Sequence, residues 1–317
     1  MSCPLNSQSS ENSKVRQVTV SSDREGQRLD NFLLRLLRGV PKAAIYRLIR
    51  TGQVRINGKR SKPDHKLETG DQVRVPPVRT RESGAVEISP AVMAQVREAV
   101  VHRDQDYLVI DKPSGMAVHS GSGLPWGLID AVRQAWPGEY HELVHRIDRE
   151  TSGCIILARN GKALQHLAAQ FRAGSLTKKY LCLLDGKLRE ERVLVDAPLL
   201  KARYDAEHMV EIDEDGKQAQ TRFTVLQAYS DSTFAEAELF TGRTHQIRAH
   251  AAHLEAPLAG DERYSSEASI RKWQVRGLNR LFLHAHQVEF EARSGTGINC
   301  HAPLPKALRE VLDGLEI

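Results

Sequence analysis

Five apolar residues in a row, Cys154-Ile155-Ile156-Leu157-Ala158, follow directly on the ion-rich segment Leu143-Val144-His145-Arg146-Ile147-Asp148-Arg149-Glu150-Thr151-Ser152-Gly153. So short a run, rich in aliphatic residues, reads as a buried strand. Charges crowded against a buried strand cost free energy unless they are paired. A loop that presents one carboxylate, Asp148, between Arg146 and Arg149 meets that demand, because the two arginines balance its charge and can also grip phosphate. On the residues alone, a structural salt bridge at Asp148 stays open as the plainer reading.

A chain of 317 residues is long for a single core and suggests two domains, or one large domain with an appendage. Its 40% hydrophobic and 27% charged residues are ordinary for a globular protein. No apolar run approaches the roughly 18 residues that cross a bilayer, so no membrane role is expected. The Ser- and Asn-rich residues 1–16 lack an apolar centre and read as a disordered tail, not a signal peptide. Cys3, Cys154, Cys182 and Cys300 are scattered without a C-x-x-C pattern, which suits free thiols in a reducing cytoplasm.

Charge is unevenly spread. Between Arg24 and Lys62 eleven Lys or Arg face two acids, Glu25 and Asp30, a local excess of +9 in a chain whose formal net charge is +5. The remainder is therefore net acidic, and the basic footprint points to a polyanionic partner for one small region. A solvated charged helix pair is the plainer alternative.

That region reads as a compact unit over residues 17–76. Leu29, Phe32, Leu33, Leu36 and Leu37 form a helical apolar stripe that Gly39 ends. Pro41 opens a second helix that buries Ile45, Leu48 and Ile49 and turns Lys42, Arg47 and Arg50 elsewhere. Val54-Arg55-Ile56-Asn57-Gly58-Lys59 is an alternating strand running into an Asn-Gly hairpin turn, and Val73-Arg74-Val75 closes the unit. Tyr46 is the one aromatic candidate for contact with bases.

Residues 77–95 read as a linker and residues 96–317 as a second domain. Strand-like runs there fall at residues 107–110, 154–158, 180–184, 222–227, 234–239 and 281–284. Helical patterns fall at residues 91–101, 127–136, 162–171 and 243–254. The alternation is not regular β-α-β, so the expected class is α+β, with a largely antiparallel or mixed sheet behind the small N-terminal domain. No internal repeat is present.

Three segments carry a resemblance. His145-Arg146-Ile147-Asp148-x-x-Thr151-Ser152-Gly153 resembles the H-R-[LI]-D-x-x-T-S-G signature of the pseudouridine synthases that modify ribosomal and transfer RNA. Lys178-Lys179-Tyr180 is similar to their K-x-Y motif. Thr241-Gly242-Arg243-Thr244-His245-Gln246-Ile247-Arg248-Ala249-His250 is similar to their T-G-R-T-H-Q-I-R-x-H segment. Asp111-Lys112-Pro113-Ser114-Gly115, with the Gly-rich residues 119–123 after it, and Arg280-Leu281-Phe282-Leu283-His284-Ala285 also look like family sequence, the first a rim loop and the second structural. The basic unit resembles the alpha-L RNA-binding motif. The likeness runs from about residue 18 to the C-terminus, and the combination resembles the branch of the family that acts on large-subunit ribosomal RNA.

The resemblance implies an enzyme that isomerises uridine to pseudouridine in large-subunit ribosomal RNA or its assembly intermediate, in the cytoplasm, as a monomer. It implies Asp148, Tyr180 and Arg248 as the catalytic set. Asp148 carries the chemistry at the ribose. Tyr180 stacks under an extruded base, with a hydroxyl that can serve at C5, although a core strand tyrosine is what residues alone suggest. Arg248 pairs with Asp148 and fixes its orientation. Arg146 enters the RNA helix in place of the extruded base, a task suited to a planar guanidinium. Arg149, Lys178, Arg243 and His245 are expected at RNA, as are Lys42, Arg47, Arg50, Arg55, Lys59 and Arg60 of the basic unit.

The isomerisation oxidises and hydrolyses nothing, so neither cofactor nor metal is expected. His245, His250 and His253 have a spacing that imitates metal ligands but lack paired acids or thiols. The alternatives are a non-catalytic RNA-binding or ribosome-assembly protein, which has no need of all three catalytic residues, and an RNA hydrolase, which needs a second close carboxylate or an acidic metal cluster.

Overall fold

The computed structural model describes residues 15–37, 40–78, 87–120, 124–204 and 207–317. Most of the expected tail, Cys3, Arg38, the helix stop at Gly39, residues 79–86 of the expected linker and residues 121–123 of the Gly-rich loop lie outside them. The chain divides into two compact units, one of residues up to Ile88 joined by Arg159–Gln165, the other of Ser89–Ala158 and His166–Ile317.

The first unit orders β1 (Arg16–Thr19), α1 (Leu29–Leu36), α2 (Lys42–Arg50), β2 (Arg55–Ile56) and β3 (Gln72–Val75). Its three strands form an antiparallel sheet with β3 in the middle. The apolar stripes meet as the spacing requires. Leu29, Phe32, Leu33 and Leu37 pack with Ile45, Leu48, Ile49, Val54, Ile56, Val73 and Val75 in one core. Asn57 and Gly58 both take positive φ, 49° and 77°, and Ile56 bridges Lys59 across the turn. This is the two-residue hairpin geometry that Asn-Gly favours. Asp30, nearly alone among the cations, is buried at the start of α1 and receives both Arg28 nitrogens and the Tyr46 hydroxyl at 2.8 Å. Tyr46 therefore holds the two helices together through its hydroxyl.

The second unit begins with α3 (Pro90–Glu98), β4 (Val100–Arg103), β5 (Tyr107–Lys112), α4 (Leu128–Ala135), β6 (Glu142–Leu143) and β7 (Ser152–Ala158). After α5 (Gly161–Ala173), whose first residues, up to Gln165, are counted with the first unit, come β8 (Thr177–Leu184), β9 (Arg192–Asp196), β10 (Leu199–Tyr204), β11 (Glu207–Ile212), β12 (Gln220–Ala228) and β13 (Thr233–Leu239). The chain ends with α6 (Gln246–His253), α7 (Glu267–Val275), β14 (Leu283–Glu291), β15 (Gly297–His301) and α8 (Lys306–Asp313).

Ten strands make one sheet in the order β4-β5-β7-β14-β8-β13-β12-β9, with β6 added on β7 and β15 on β14, while β10 and β11 form a separate hairpin. Every pairing is antiparallel except β7 with β14. The unit is thus α+β with a mixed sheet, as its pattern of runs predicts. All seven residues of β7 are buried, and each large aliphatic side chain among them contributes about 1.5–3 kcal/mol. Cys154, Cys182 and Cys300 are buried free thiols.

Two expected helices are shorter than their patterns. Residues 100–101 begin β4 instead of ending α3, and α6 starts at Gln246 because His245 sits in the left-handed region at φ 52°. Among the described residues no helix is long and apolar enough to cross a membrane.

Candidate active site

Asp148 stands in the loop between β6 and β7, and backbone hydrogen bonds hold that loop from several sides. His145 Nε2 accepts the Ile156 N–H at 3.0 Å. Burial holds this imidazole's pKa down to about 3, so it stays neutral and keeps its lone pair for the strand. The fully buried Lys112, at the end of β5, donates to the carbonyls of Pro113, Met116 and Arg149 at 2.8, 2.8 and 3.1 Å. Three acceptors match the three protons of an ammonium. Ser114 Oγ donates to the Glu150 carbonyl at 2.6 Å, and the Gly115 N–H to that of Arg149 at 2.8 Å. The Asp111-Lys112-Pro113-Ser114-Gly115 segment therefore cradles the backbone that carries Asp148.

The far end of the loop is anchored where β7 meets β14. Arg280 Nη2 donates to the Glu150 carbonyl at 3.2 Å and to Ser152 Oγ at 2.9 Å. His284 Nε2 faces the Ala302 carbonyl at 3.1 Å, so Nε2 carries the proton and Nδ1 accepts from the Ser152 hydroxyl at 2.9 Å. Burial lowers the His284 pKa to about 4. Gly153 takes φ 109°, and a Cβ there would stand 2.3 Å from the Ala285 oxygen. Only glycine lets β7 approach β14 at this point.

Arg248 reaches the site from the first turn of α6. The Gln246 amide shapes the turn before it, accepting from Thr241 Oγ1 at 2.8 Å and the Arg243 N–H at 3.0 Å and donating to the Gln220 carbonyl at 2.9 Å. Arg248 Nη1 lies 3.8 Å from Asp148 Oδ2, and His245 Nε2 lies at the same distance from that oxygen. The tighter partner of Arg248 is Asp261, which takes Nε at 2.7 Å and Nη2 at 2.6 Å in a fork and is only 1% exposed. Asp261 also accepts the N–H groups of Arg263 and Tyr264. Burial works against the guanidinium charge, yet the Asp261 hydrogen bond and the two carboxylates raise its pKa above the ordinary value. Arg248 is thus a fixed cation bridging a structural carboxylate and Asp148.

These groups open on one cavity of about 250 Å³, lined by Asp148, Tyr180, Arg248, Arg146, Lys178, Arg243 and His245 among others. Tyr180 projects from β8 and is 7% exposed. Burial, helped by the Asp148 charge, pushes its hydroxyl pKa well above the usual phenol range. Burial also lowers the pKa of Lys178, whose ammonium lies 5.7 Å from the Phe171 ring centroid. Arg146 and Arg243 are exposed at the rim, Arg243 with its Nε on the Gln218 carbonyl.

One sequence expectation is corrected. Arg149 does not flank the carboxylate: its Nε donates to the Gly115 carbonyl at 3.0 Å. Neighbours in a loop point apart, and the cation facing Asp148 comes from a helix a hundred residues on. His250 also leaves the site, its ring nitrogens engaged by Thr221 and Ala197. Lys42, Arg47, Arg50, Arg55, Lys59 and Arg60 are exposed on the N-terminal unit. Sequence reading missed Asp261 and Tyr264, because a single acid and a single tyrosine in a loop carry no pattern. It saw Lys112 only as part of a rim segment, although the lysine beside a buried strand was a signal.

Comparison with known proteins identifies the family. Residues 106–253 match the family model described as RNA pseudouridylate synthase, and residues 27–73 match the S4 domain. The chain is similar to the ribosomal large subunit pseudouridine synthase C of Yersinia pestis, 43% identical over 95% of this chain and 96% of that one. It is also similar to the protein of that name from Escherichia coli strain K12, 42% identical over 96% and 98%. Among solved structures, human RNA pseudouridylate synthase domain containing 4 shares the fold, with a TM-score of 0.59 and 24% identity over 72% of this chain and 97% of that one. With identity of this order along nearly its whole length, the chain belongs to the RNA pseudouridylate synthase family.

Proposed function

We propose that this pseudouridine synthase acts on uridines of large-subunit ribosomal RNA, free or in an assembly intermediate, and that Asp148 acts at C1′ of a uridine extruded into the 250 Å³ cavity. The observation that carries the reading is the meeting of Asp148, Tyr180 and Arg248 at that one cavity, from a loop, a strand and a helix far apart in sequence. Isomerisation breaks the N1–C1′ bond, turns the uracil and joins C5 to C1′. An anionic oxygen can add to C1′ or remove the C2′ proton; either route needs one carboxylate held still. The Arg248–Asp261 fork and the backbone cradle supply that stillness. Tyr180 supplies a ring face for the uracil, and Arg146 at the rim a planar cation for the gap it leaves.

The substrate class follows from the names of relatives that match along almost the whole chain, together with the exposed basic face of the N-terminal unit. A binding-only role would leave the buried Arg248–Asp261 pair and its carboxylate neighbour without a use. The test is to treat ribosomal and transfer RNA from cells lacking the protein with purified enzyme and to map pseudouridine in both. We expect new sites in large-subunit RNA, lost in Asp148→Asn while RNA affinity stays within a few-fold. Activity surviving in Asp148→Asn would remove the aspartate from its role, and modification confined to transfer RNA would overturn the substrate class.

A further inference from the structure

Asp148 faces a second group that the pairing with Arg248 does not explain. His245 caps α6 in a left-handed conformation, with an imidazole that is 10% exposed and lines the cavity. Its Nδ1 lies 3.1 Å from the Tyr264 hydroxyl, which is already committed: it accepts the Val210 N–H at 3.0 Å and stands 3.0 Å from the Val210 carbonyl. A phenol has one proton, and a carbonyl can only accept. Tyr264 therefore donates to Val210, and His245 Nδ1 must carry the proton that points at Tyr264. In the neutral ring Nε2 is then a lone pair, 3.8 Å from Asp148 Oδ2. A lone pair held beside a carboxylate oxygen, inside the cavity, is an arrangement that gains once a proton arrives.

The reaction delivers such a proton. When C5 joins C1′, C5 still holds its hydrogen, and that hydrogen must leave before pseudouridine is formed. The atom that loses it is bonded to the carbon on which Asp148 acts, so its acceptor belongs beside Asp148. Among the cavity walls, His145 Nε2 is used by the Ile156 N–H and Lys178 lies over Phe171. The Tyr180 hydroxyl, which the resemblance offers for C5, is buried at 7% exposure near the Asp148 charge, where the phenolate that a base requires is disfavoured.

We propose that His245 is the general base of the second half-reaction, taking the C5 proton on Nε2. The C5–H electron pair returns to the ring, and the proton passes from the imidazolium to N1, the atom left with the electron pair of the cleaved glycosidic bond. The imidazolium is formed 3.8 Å from the Asp148 carboxylate, which stabilises it. Burial, Arg248 and Arg263 keep the ring neutral more than Asp148 and Asp261 charge it, so its pKa sits below the ordinary histidine value. A neutral ring at pH 7 is the form a base requires. The inference rests on the reading of this cavity as the uridine site.

The test uses the full-length enzyme on RNA whose target uridines carry deuterium at C5, with pseudouridine formation followed in single turnovers from pH 5 to 9. Wild type should lose rate toward low pH as His245 is protonated. In His245→Asn the rate should drop by about 10²–10⁴-fold, lose that acid limb and show an enlarged C5 isotope effect, with RNA affinity within a few-fold. Tyr264→Phe keeps the ring but removes the acceptor of Nδ1–H. It should move the acid limb and lose roughly ten-fold in rate, and it decides the matter should His245→Asn not fold. A weaker RNA affinity with unchanged rate, limb and isotope effect would make His245 a phosphate contact and overturn the proposal. Wild-type enzyme that forms no pseudouridine would instead overturn the reading of the cavity.

Discussion

A carboxylate is only as useful as the group that fixes its charge in place, and here that group is itself fixed. Arg248 spends two nitrogens on Asp261, and the third faces Asp148. Removing one partner of a buried forked pair leaves an uncompensated charge and costs about 3–5 kcal/mol. We expect Asp261→Asn to lower stability by less than that, since an amide still accepts one bond. It should lower the single-turnover rate by roughly ten- to a hundred-fold as Arg248 swings away, with RNA affinity retained. A wild-type rate in Asp261→Asn would show that Arg248 needs no anchor. Asp148 itself was legible in the sequence because its neighbours are so costly beside a buried strand. The group that faces it was legible only through the family motif, and Asp261 was not legible at all, because a buried forked pair between residues 13 apart has no repeating pattern.

At the scale of elements, the active-site loop owes its position to the junction of β7 and β14. The parallel register sets Ser152 opposite His284 and Gly153 opposite Ala285. Gly153→Ala would combine a positive φ with a backbone clash, worth about 3 kcal/mol or more. We expect a melting temperature lower by roughly 5–10 °C and a large loss of rate. A variant as stable as wild type would mean that β7 can shift away from β14 without cost. The basic face of α2 poses a separate question. Replacing Lys42, Arg47 and Arg50 by Gln should reduce the slope of log affinity against log salt by about 2, since each phosphate contact contributes roughly 0.7–0.9. The rate at saturating RNA should not change. An unaltered slope would take RNA contact away from that face. Elements with a run or stripe of large apolar residues were visible in the sequence, α1, α2, β5, β7 and β13 among them. The β10–β11 hairpin, β15, α7 and α8 were not read, although α8 carries a clear apolar face with Leu308 and Val311 buried.

At the scale of the whole molecule, two neutral histidines, His284 buried and His145 half-buried, make the fold sensitive to acid. His284 and His145 have native pKa values pulled down to about 4 and about 3, against an ordinary 6.5. The unfolded chain therefore binds more protons between those limits, and stability falls as the pH drops from about 6.5 toward 4. A shift of the size seen at His284 corresponds to about 3 kcal/mol. We expect the urea midpoint to fall steadily over that range, and His284→Asn, although less stable at pH 7, to fall less steeply. Parallel curves for the two proteins would remove His284 as a source of the acid sensitivity. Sequence by itself determined what depends on near neighbours: the core stripes of two helices, an Asn-Gly hairpin, a buried strand, a concentrated basic footprint and a carboxylate set in a charged loop ahead of that strand. Tertiary structure alone decided the partners across the site: that Arg149 turns to Gly115 and away from Asp148, that Asp261 holds Arg248, and that Tyr264 sets which nitrogen of His245 keeps its proton. The physical reason is range. Burial, turn geometry and helical spacing are written over a few residues, whereas the direction of a hydrogen bond and the neighbour of a charge are settled only when strands and helices from distant parts of the chain close on one cavity.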